Sequence, residues 1–283
     1  AWQMHPKVSW ADVFQVPPVV RALEQREPGR LYVVHPQGDT GLLFANPTTK
    51  NRDEHEFLLR DLAIANIFTR HGISGTDWPT ALDLSVASNI VGTMRDEQGR
   101  PVNEDLLDRL GIRYVAGSST TPNLVLPPPA REILAFPSGE DATIRAWERP
   151  TARARVELFE EFPQDIRQPS PRSIGSARIT AEHPQRIDIA VENPTSRDAT
   201  LILRDTFYRD WEATRDGNTV LIEPADTLFR GVTIPPGTHA VTFRYRPRAV
   251  YIGASLSAMA WLGALVISRR PRKTPAGTTL HPG

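Results

Sequence analysis

Two groups of acidic and aromatic residues have the types and spacing that could recognise a sugar. Asp205, Tyr208 and Trp211 lie close together in one segment. Asp77 and Trp78 are adjacent on a stretch with glycines before them, HGISGTDW. An aromatic face stacks on the C–H side of a pyranose, and a carboxylate accepts hydrogen bonds from its hydroxyls. We take these five as candidate glycan-binding residues, with a structural alternative for the first group: Trp211 in a core, and Asp205 bonded to backbone amides.

No other set of residues has the pattern of a catalytic, cofactor or metal site. The seven histidines are scattered, and none forms an HxxxH-type pair. The sequence contains no GxSxG, P-loop or GxGxxG motif, so no nucleotide site is indicated. Without cysteine, disulfides, thiolate metal sites and a cysteine nucleophile are excluded. We therefore expect no catalytic residue, no metal and no cofactor in this chain.

The charge balance gives no reason to expect nucleic acid as a partner. The 283 residues include 33 Lys and Arg and 33 Asp and Glu, which cancel. Nucleic-acid affinity depends strongly on a surplus of positive charge. We expect no charge-driven partner of this kind.

The segment Ala249–Ser268 is uncharged and is followed by a short basic tail, 269–283. A helix of that length rises roughly 30 Å, the thickness of the hydrocarbon core of a bilayer. This predicts a transmembrane helix, with the bilayer as partner. The alternative is a buried core helix, but such helices normally have a polar face. Small residues four apart, such as Gly253 and Ser257, further predict contact with other transmembrane helices of the same protein.

The rest of the chain divides into two modules by pattern. Residues 1–150 combine helical and strand patterns, including helix-to-strand units that end at Val34 and Ala116. Residues 153–247 alternate apolar and polar residues over several short strands, typical of a β-sandwich. The proline-rich linker Pro163–Pro171 is expected to be exposed. The predicted fold class is α+β: a small α/β module, an antiparallel β-sandwich and one C-terminal transmembrane helix.

Residues 201–257 contain a series of motifs in a specific order. They are Asp205, Tyr208 with Trp211, Asp216-Gly217, Arg230-Gly231-Val232, Pro236-Gly237 with His239, and Tyr245 with Pro247. In order and spacing this run resembles the C-terminal end of the YfhO family of bacterial multi-spanning membrane proteins. Looser likeness extends upstream through NIFTRHGISGTDWP, LLDRLGIRYVAG and WERPTARARV, so the resemblance covers most of the chain.

The resemblance implies a glycosyltransferase that uses polyprenyl-phosphate sugars and acts on cell-envelope polymers. It also implies that this chain is the C-terminal extracytoplasmic portion at the bacterial cytoplasmic membrane, followed by the last membrane helix and a cytoplasmic tail. The composition of that tail, 269–283, is typical of a disordered end. Catalytic acids of that class are expected upstream, so this portion would position an acceptor or brace the membrane core without catalysing transfer. Its expected partners are envelope glycan or lipid-linked sugar.

Two other functions remain open at the level of sequence. One is a non-enzymatic, membrane-anchored envelope module that binds glycan or protein. The other is a tail-anchored cytosolic scaffold. The cytosolic scaffold differs from the envelope module and the transferase portion in the side of the membrane on which the folded modules lie.

Overall fold

The computed structural model describes residues 16–34, 100–101, 103–119, 121, 123–138, 142–166, 168 and 171–268. The candidate residues Asp77 and Trp78 lie outside the described residues, as does the basic tail 269–283. The described part is a mixed α+β structure in which most strands pair antiparallel. The predicted fold class is confirmed at this level.

The N-terminal part is a four-stranded sheet with helices. Strand β1 pairs parallel to β2, and the other two pairings are antiparallel, in the order β1-β2-β4-β3. The elements are α1 (Pro18–Glu24), β1 (Arg30–Val33), α2 (Glu104–Arg109), β2 (Ile112–Ser118), β3 (Arg131–Ser138) and β4 (Ala142–Glu148).

Local sequence signals account for the helix-to-strand units. The side chain of Asn103 accepts a hydrogen bond from the backbone N–H of Leu106 at 3.0 Å, which caps α2. Gly111 follows that helix with φ +69, a left-handed conformation that ends helices cheaply only in glycine. Helix α1 has its proline in the first turn. Both predicted units are confirmed.

The remaining strands form two antiparallel sheets, with the orders β10-β9-β13-β7-β6 and β11-β12-β8-β5. Their inner faces share one apolar cluster, so the two sheets pack against each other as in a β-sandwich. The strands are β5 (Val156–Phe159), β6 (Ser176–His183), β7 (Arg186–Asn193), β8 (Ala199–Thr206), β9 (Trp211–Arg215), β10 (Asn218–Val220), β11 (Glu223–Ala225), β12 (Phe229–Ile234) and β13 (Gly237–Tyr245).

The β11-β12-β8-β5 sheet is buried on both faces. Leu201 and Leu203 point into the cluster shared with the five-stranded sheet. Ile202, between them, points the other way into a cluster that contains Trp147 of the N-terminal sheet. Burial on both sides explains why Leu201 to Leu203 of β8 form an unbroken apolar run. One hydrophobic cluster thus crosses the predicted boundary between modules.

The expectation of an exposed linker at Pro163–Pro171 holds only in part, because Gln164 and Gln168 are exposed whereas Pro163 and Ile166 are buried. Ile166 is buried in the cluster between the N-terminal sheet and the sandwich. The carbonyl of Pro163, also buried, accepts a hydrogen bond from the backbone N–H of Asp226 at 2.7 Å. Proline content marked the absence of regular structure, but an irregular segment with an apolar side chain still packs when its backbone groups find partners.

Helix α3 (Arg248–Ser268) continues directly from the last strand of the sandwich. Its large apolar side chains, among them Tyr251, Leu256, Met259 and Trp261, are exposed, the last of them 78%. Among the residues that the structure describes, no helix meets the length and apolarity needed to cross a membrane. The helix is therefore confirmed and the transmembrane span is not.

Candidate functional site

Asp205, near the end of β8, is held by a cluster of arginines. Arg155 donates two hydrogen bonds to its carboxylate, Nε to Oδ1 at 3.0 Å and Nη2 to Oδ2 at 2.8 Å. Arg30 lies 3.9 Å and Arg230 4.0 Å from the same carboxylate. Burial by itself would raise the pKa of Asp205, but the hydrogen bonds and charges of these arginines hold it below its ordinary value. Asp205 is therefore an ionised carboxylate surrounded by three arginine side chains.

The Arg155 guanidinium also binds a second carboxylate, that of Glu182. Its Nη1 lies 2.8 Å from both carboxylate oxygens of Glu182, at the end of β6. Burial opposes the charge of Arg155, and its two acidic neighbours outweigh that and raise its pKa. The chain Asp205–Arg155–Glu182 therefore ties β8 to the β6–β7 hairpin. Because both oxygens of Asp205 are engaged by Arg155, a sugar hydroxyl would have to compete with an ion pair for them.

The aromatic candidates meet beside this cluster. The Arg230 guanidinium carbon lies 3.7 Å from the centroid of the Trp211 ring, a cation–π contact. Burial lowers the pKa of Arg230 to about 10. Tyr245 lies next to both candidate aromatics, with centroid distances of 5.3 Å to Trp211 and 6.4 Å to Tyr208. The structure thus brings Asp205, Tyr208 and Trp211 together, through Arg230 and Tyr245.

Exposure separates the two aromatic candidates. Tyr208 is 39% exposed, whereas Trp211 is half-buried and packs against the sandwich core. A ring must present one open face to stack on a sugar, and Arg230 already lies over a face of Trp211. Tyr208 is therefore the more accessible stacking surface of the two.

A cleft of about 700 Å³ lies between the N-terminal sheet and the β6–β7 end of the sandwich. Its volume is in the range of small-ligand sites. Glu27, Glu182, His183 and Tyr114 contribute to the wall, which also contains an unusual number of arginines: Arg30, Arg113, Arg153, Arg155 and Arg204.

Most of these arginines are already bonded to the protein. Arg204 is buried; its Nε donates to the carbonyl of Arg109 at 2.9 Å and its Nη1 to that of Ala154 at 2.6 Å. Burial lowers the pKa of Arg204 to about 10. Arg30 donates to the carbonyl oxygens of Leu110 and Arg204 itself. These side chains connect the N-terminal part to the sandwich.

Among the arginines of the cleft wall, Arg153 has the weakest side-chain contacts with the rest of the protein. It lies 3.9 Å from Glu157 and 5.7 Å from the Phe159 ring, with its side chain 29% exposed. Arg113, by contrast, is bonded to Glu27. Arg153 can therefore donate to a hydroxyl or an acidic group of a ligand in the cleft without breaking a close ion pair.

These arginines were not among the site residues predicted from the sequence. The alternation in TARARV, which puts Arg153 and Arg155 on the same side of an extended segment, was a usable signal. Arg30 and Arg204 lie far away in sequence, and only the packing of the sheets brings them to the same cleft. Within the described ranges, no three His, Asp or Glu side chains are grouped so as to hold a metal ion.

Comparison of the chain with protein-family models, with curated proteins and with solved structures finds no match.

Proposed function

We propose that this chain is the membrane-anchored, extracytoplasmic C-terminal portion of a YfhO-like, multi-spanning bacterial protein that transfers sugar from a polyprenyl-phosphate donor to a cell-envelope polymer. In this proposal α3 enters the bilayer, and the α/β module and sandwich stay at its outer surface. The portion positions the acceptor and does not itself catalyse transfer. Glycan or lipid-linked sugar is its ligand.

The exposure of α3 is the observation that carries the membrane part of the proposal. Apolar side chains over its length, from Val250 to Leu265, face outward and are not covered by the sandwich. An apolar surface this large is costly in water and marks a protein or membrane contact. Since the sequence 249–268 has no charge, a bilayer would accept it on every side.

The cleft supports the acceptor-positioning part. It is large enough for a sugar unit, and it combines apolar surface with the guanidinium of Arg153 and the half-exposed carboxylate of Glu182. A guanidinium donates to hydroxyl and carboxylate oxygens, and a carboxylate accepts from hydroxyls. Such a lining suits an envelope polymer that has hydroxyl and acidic groups.

Replacing Met259 by Arg tests the membrane anchor. Met259 lies near the middle of α3 and is exposed, so the change leaves the folded body intact. A charge at the centre of a spanning helix costs about 3 kcal/mol. We expect the unaltered chain to float with lipid vesicles after a carbonate wash and the Met259→Arg chain to float at least tenfold less.

The matched control is Leu221→Arg, because Leu221 is also an exposed apolar residue but lies on the sandwich. It should float like the unaltered chain. If the unaltered chain stays in buffer after carbonate treatment, the membrane anchor is disproved. Digestion of the body by protease added to intact spheroplasts would agree with an extracytoplasmic body, and protection would favour the cytosolic scaffold.

A non-enzymatic envelope module is the second candidate. It is favoured by the pairing of both acidic residues of the described cleft wall, Glu27 with Arg113 and Glu182 with Arg155. A carboxylate that acts on a substrate must be free to contact it, and each of these two already has a guanidinium partner. Envelope polymer binding by the purified chain without sugar transfer fits either role. An upstream reading frame with about ten hydrophobic spans and an acidic loop would favour the transferase, and turnover by the purified chain would disprove the accessory role.

A further inference from the structure

A second concave surface lies where β13 passes into α3. It has a volume of about 560 Å³ and is separate from the arginine-lined cleft. Four arginines line it, together with Tyr245 and Tyr251. We call this surface the helix-base pocket, and its arginines are Arg186, Arg244, Arg246 and Arg248.

The positive charge of the helix-base pocket is only partly balanced. Arg186 is bonded to Asp188 at 2.9 Å, and Arg246 lies 3.5 Å from Glu212. Arg244 and Arg248 make no ion pair or side-chain hydrogen bond within the part of the chain that the structure describes, and both are exposed. Exposed ion pairs such as that of Arg246 are weak and can open for a ligand. The guanidinium groups of Arg244 and Arg248 are therefore available to bind an anion.

The position of the pocket indicates which anion this is. The exposed apolar side chains of α3 begin at Val250 and Tyr251, so the pocket adjoins the first turn of the helix. On the proposed function, this turn enters the bilayer and the pocket lies at the depth of the headgroups. Arginine and tyrosine at that depth keep their apolar parts toward lipid and their polar tips toward headgroups.

We propose that the helix-base pocket binds the phosphate of an anionic phospholipid. A guanidinium matches phosphate oxygens with two parallel hydrogen bonds, which makes arginine the preferred side chain for this contact. Arg244 and Arg246 stand two apart near the end of β13, and Arg248 begins α3, so the strand and the helix together set their positions. The inference rests on the proposed membrane anchor and adds that the body is held against the bilayer in a lipid-dependent orientation.

Lipid binding by the full chain in detergent micelles tests this proposal. The probes are fluorescent phosphatidylglycerol, which is anionic, and phosphatidylcholine, which has no net charge. An arginine near an anionic lipid surface changes affinity roughly fivefold. We expect preferential binding of phosphatidylglycerol, with an affinity about 25-fold lower in the R244Q/R248Q chain.

The R131Q/R178Q chain is the matched control, because it loses the same charge at two exposed arginines that form no ion pair with any described residue. It should bind like the unaltered chain, and the thermal unfolding midpoint of both variants should be unchanged. Equal binding of the two lipids by the unaltered chain, or an equal loss in both variants, would overturn the proposal. Displacement of the lipid by inorganic phosphate at millimolar concentration would also overturn it, since the site would then be one for free phosphate.

Micelle binding tests the headgroup site and vesicle flotation tests the membrane anchor, so the two proposals can be disproved separately. A chain that floats but shows no lipid preference keeps its anchor and lacks the headgroup site. A chain that does not float lacks the anchor itself.

Discussion

At the scale of single residues, arginine connects the layers of this protein. Arg155 bridges two carboxylates, and Arg204 binds backbone carbonyls of two different segments. Arginine suits this task because its planar fork offers five donors in fixed directions. Asp205 is the acceptor on which three of these cations converge, so its ionisation should matter for stability.

Asp205→Asn should lower stability in a pH-dependent way. The pKa of Asp205 is lowered in the folded protein, so its contribution is complete above the unfolded pKa of about 4 and is lost as pH falls through the folded value. We expect a loss of about 2 kcal/mol in the free energy of unfolding at pH 7, because half-buried Arg155 loses its charged hydrogen-bond acceptor and buried Arg230 loses the carboxylate beside it. Urea unfolding from pH 7 down to pH 2 should show this gap narrowing as the acid is protonated.

The control for this series is Asp198→Asn, at an exposed position on the loop before β8. Its free energy of unfolding should stay close to that of the unaltered protein throughout the series. A constant gap between Asp205→Asn and the unaltered protein at all pH values would show that Asp205 acts through shape and not through its charge.

At the scale of elements, the turns hold the strand register. Asp216 and Gly217 both have positive φ, 51 and 83, as the tight β9–β10 hairpin requires. The Asp216 carboxylate accepts from the backbone N–H of Ala240 at 2.9 Å and lies 2.6 Å from Nδ1 of His239. The backbone hydrogen bond, then the one with His239, lower the pKa of Asp216. The hairpin is thereby attached to the neighbouring strand β13.

Gly175→Ala and Gly217→Ala should differ in cost although both glycines are left-handed. A Cβ at Gly175 would lie 2.2 Å from the carbonyl oxygen of Glu192, whereas one at Gly217 would meet nothing within 4 Å. We expect about 1 kcal/mol for Gly217→Ala from the backbone alone, and about 3 kcal/mol for Gly175→Ala, which adds a clash. Urea unfolding measures both, and equal losses would contradict the clash at Gly175.

At the scale of the whole molecule, the N-terminal part and the sandwich share a core. Trp147, Phe159 and Ile202 belong to one buried cluster although they come from two different sheets. Beside this cluster, Arg109 of α2 and Asp226 of the turn before β12 form a buried ion pair at 2.5 Å. We therefore expect the described layers to unfold together.

Asp226→Ala should destabilise the whole protein by about 4 kcal/mol, since it leaves Arg109 buried without its counter-ion. The double variant Arg109→Met with Asp226→Leu should cost less, because it removes both charges and restores apolar contact. Calorimetry should show a single transition in each case. A double variant that costs as much as Asp226→Ala would contradict the role of the buried ion pair, and a second transition in the unaltered protein would contradict the shared core.

The candidate site was predictable only in part. Local patterns identified the helix-to-strand units and the proximity of Asp205 to the two aromatics, because caps and alternation act over a few residues. Tyr245, Arg230 and Arg30 joined that group only through pairing between distant strands, and no short pattern encodes such pairing.

The sequence by itself determined the mixed helix and strand content, the helix-to-strand units and the apolar helix that ends the described chain, since each depends on neighbouring residues. The tertiary structure decided that β5 to β13 form two sheets, that one of them is buried on both faces, and that scattered arginines meet at one cleft. The physical reason is that burial and ion pairing depend on which surfaces meet, and residues as distant as Arg30 and Asp205 meet only after the sheets pack.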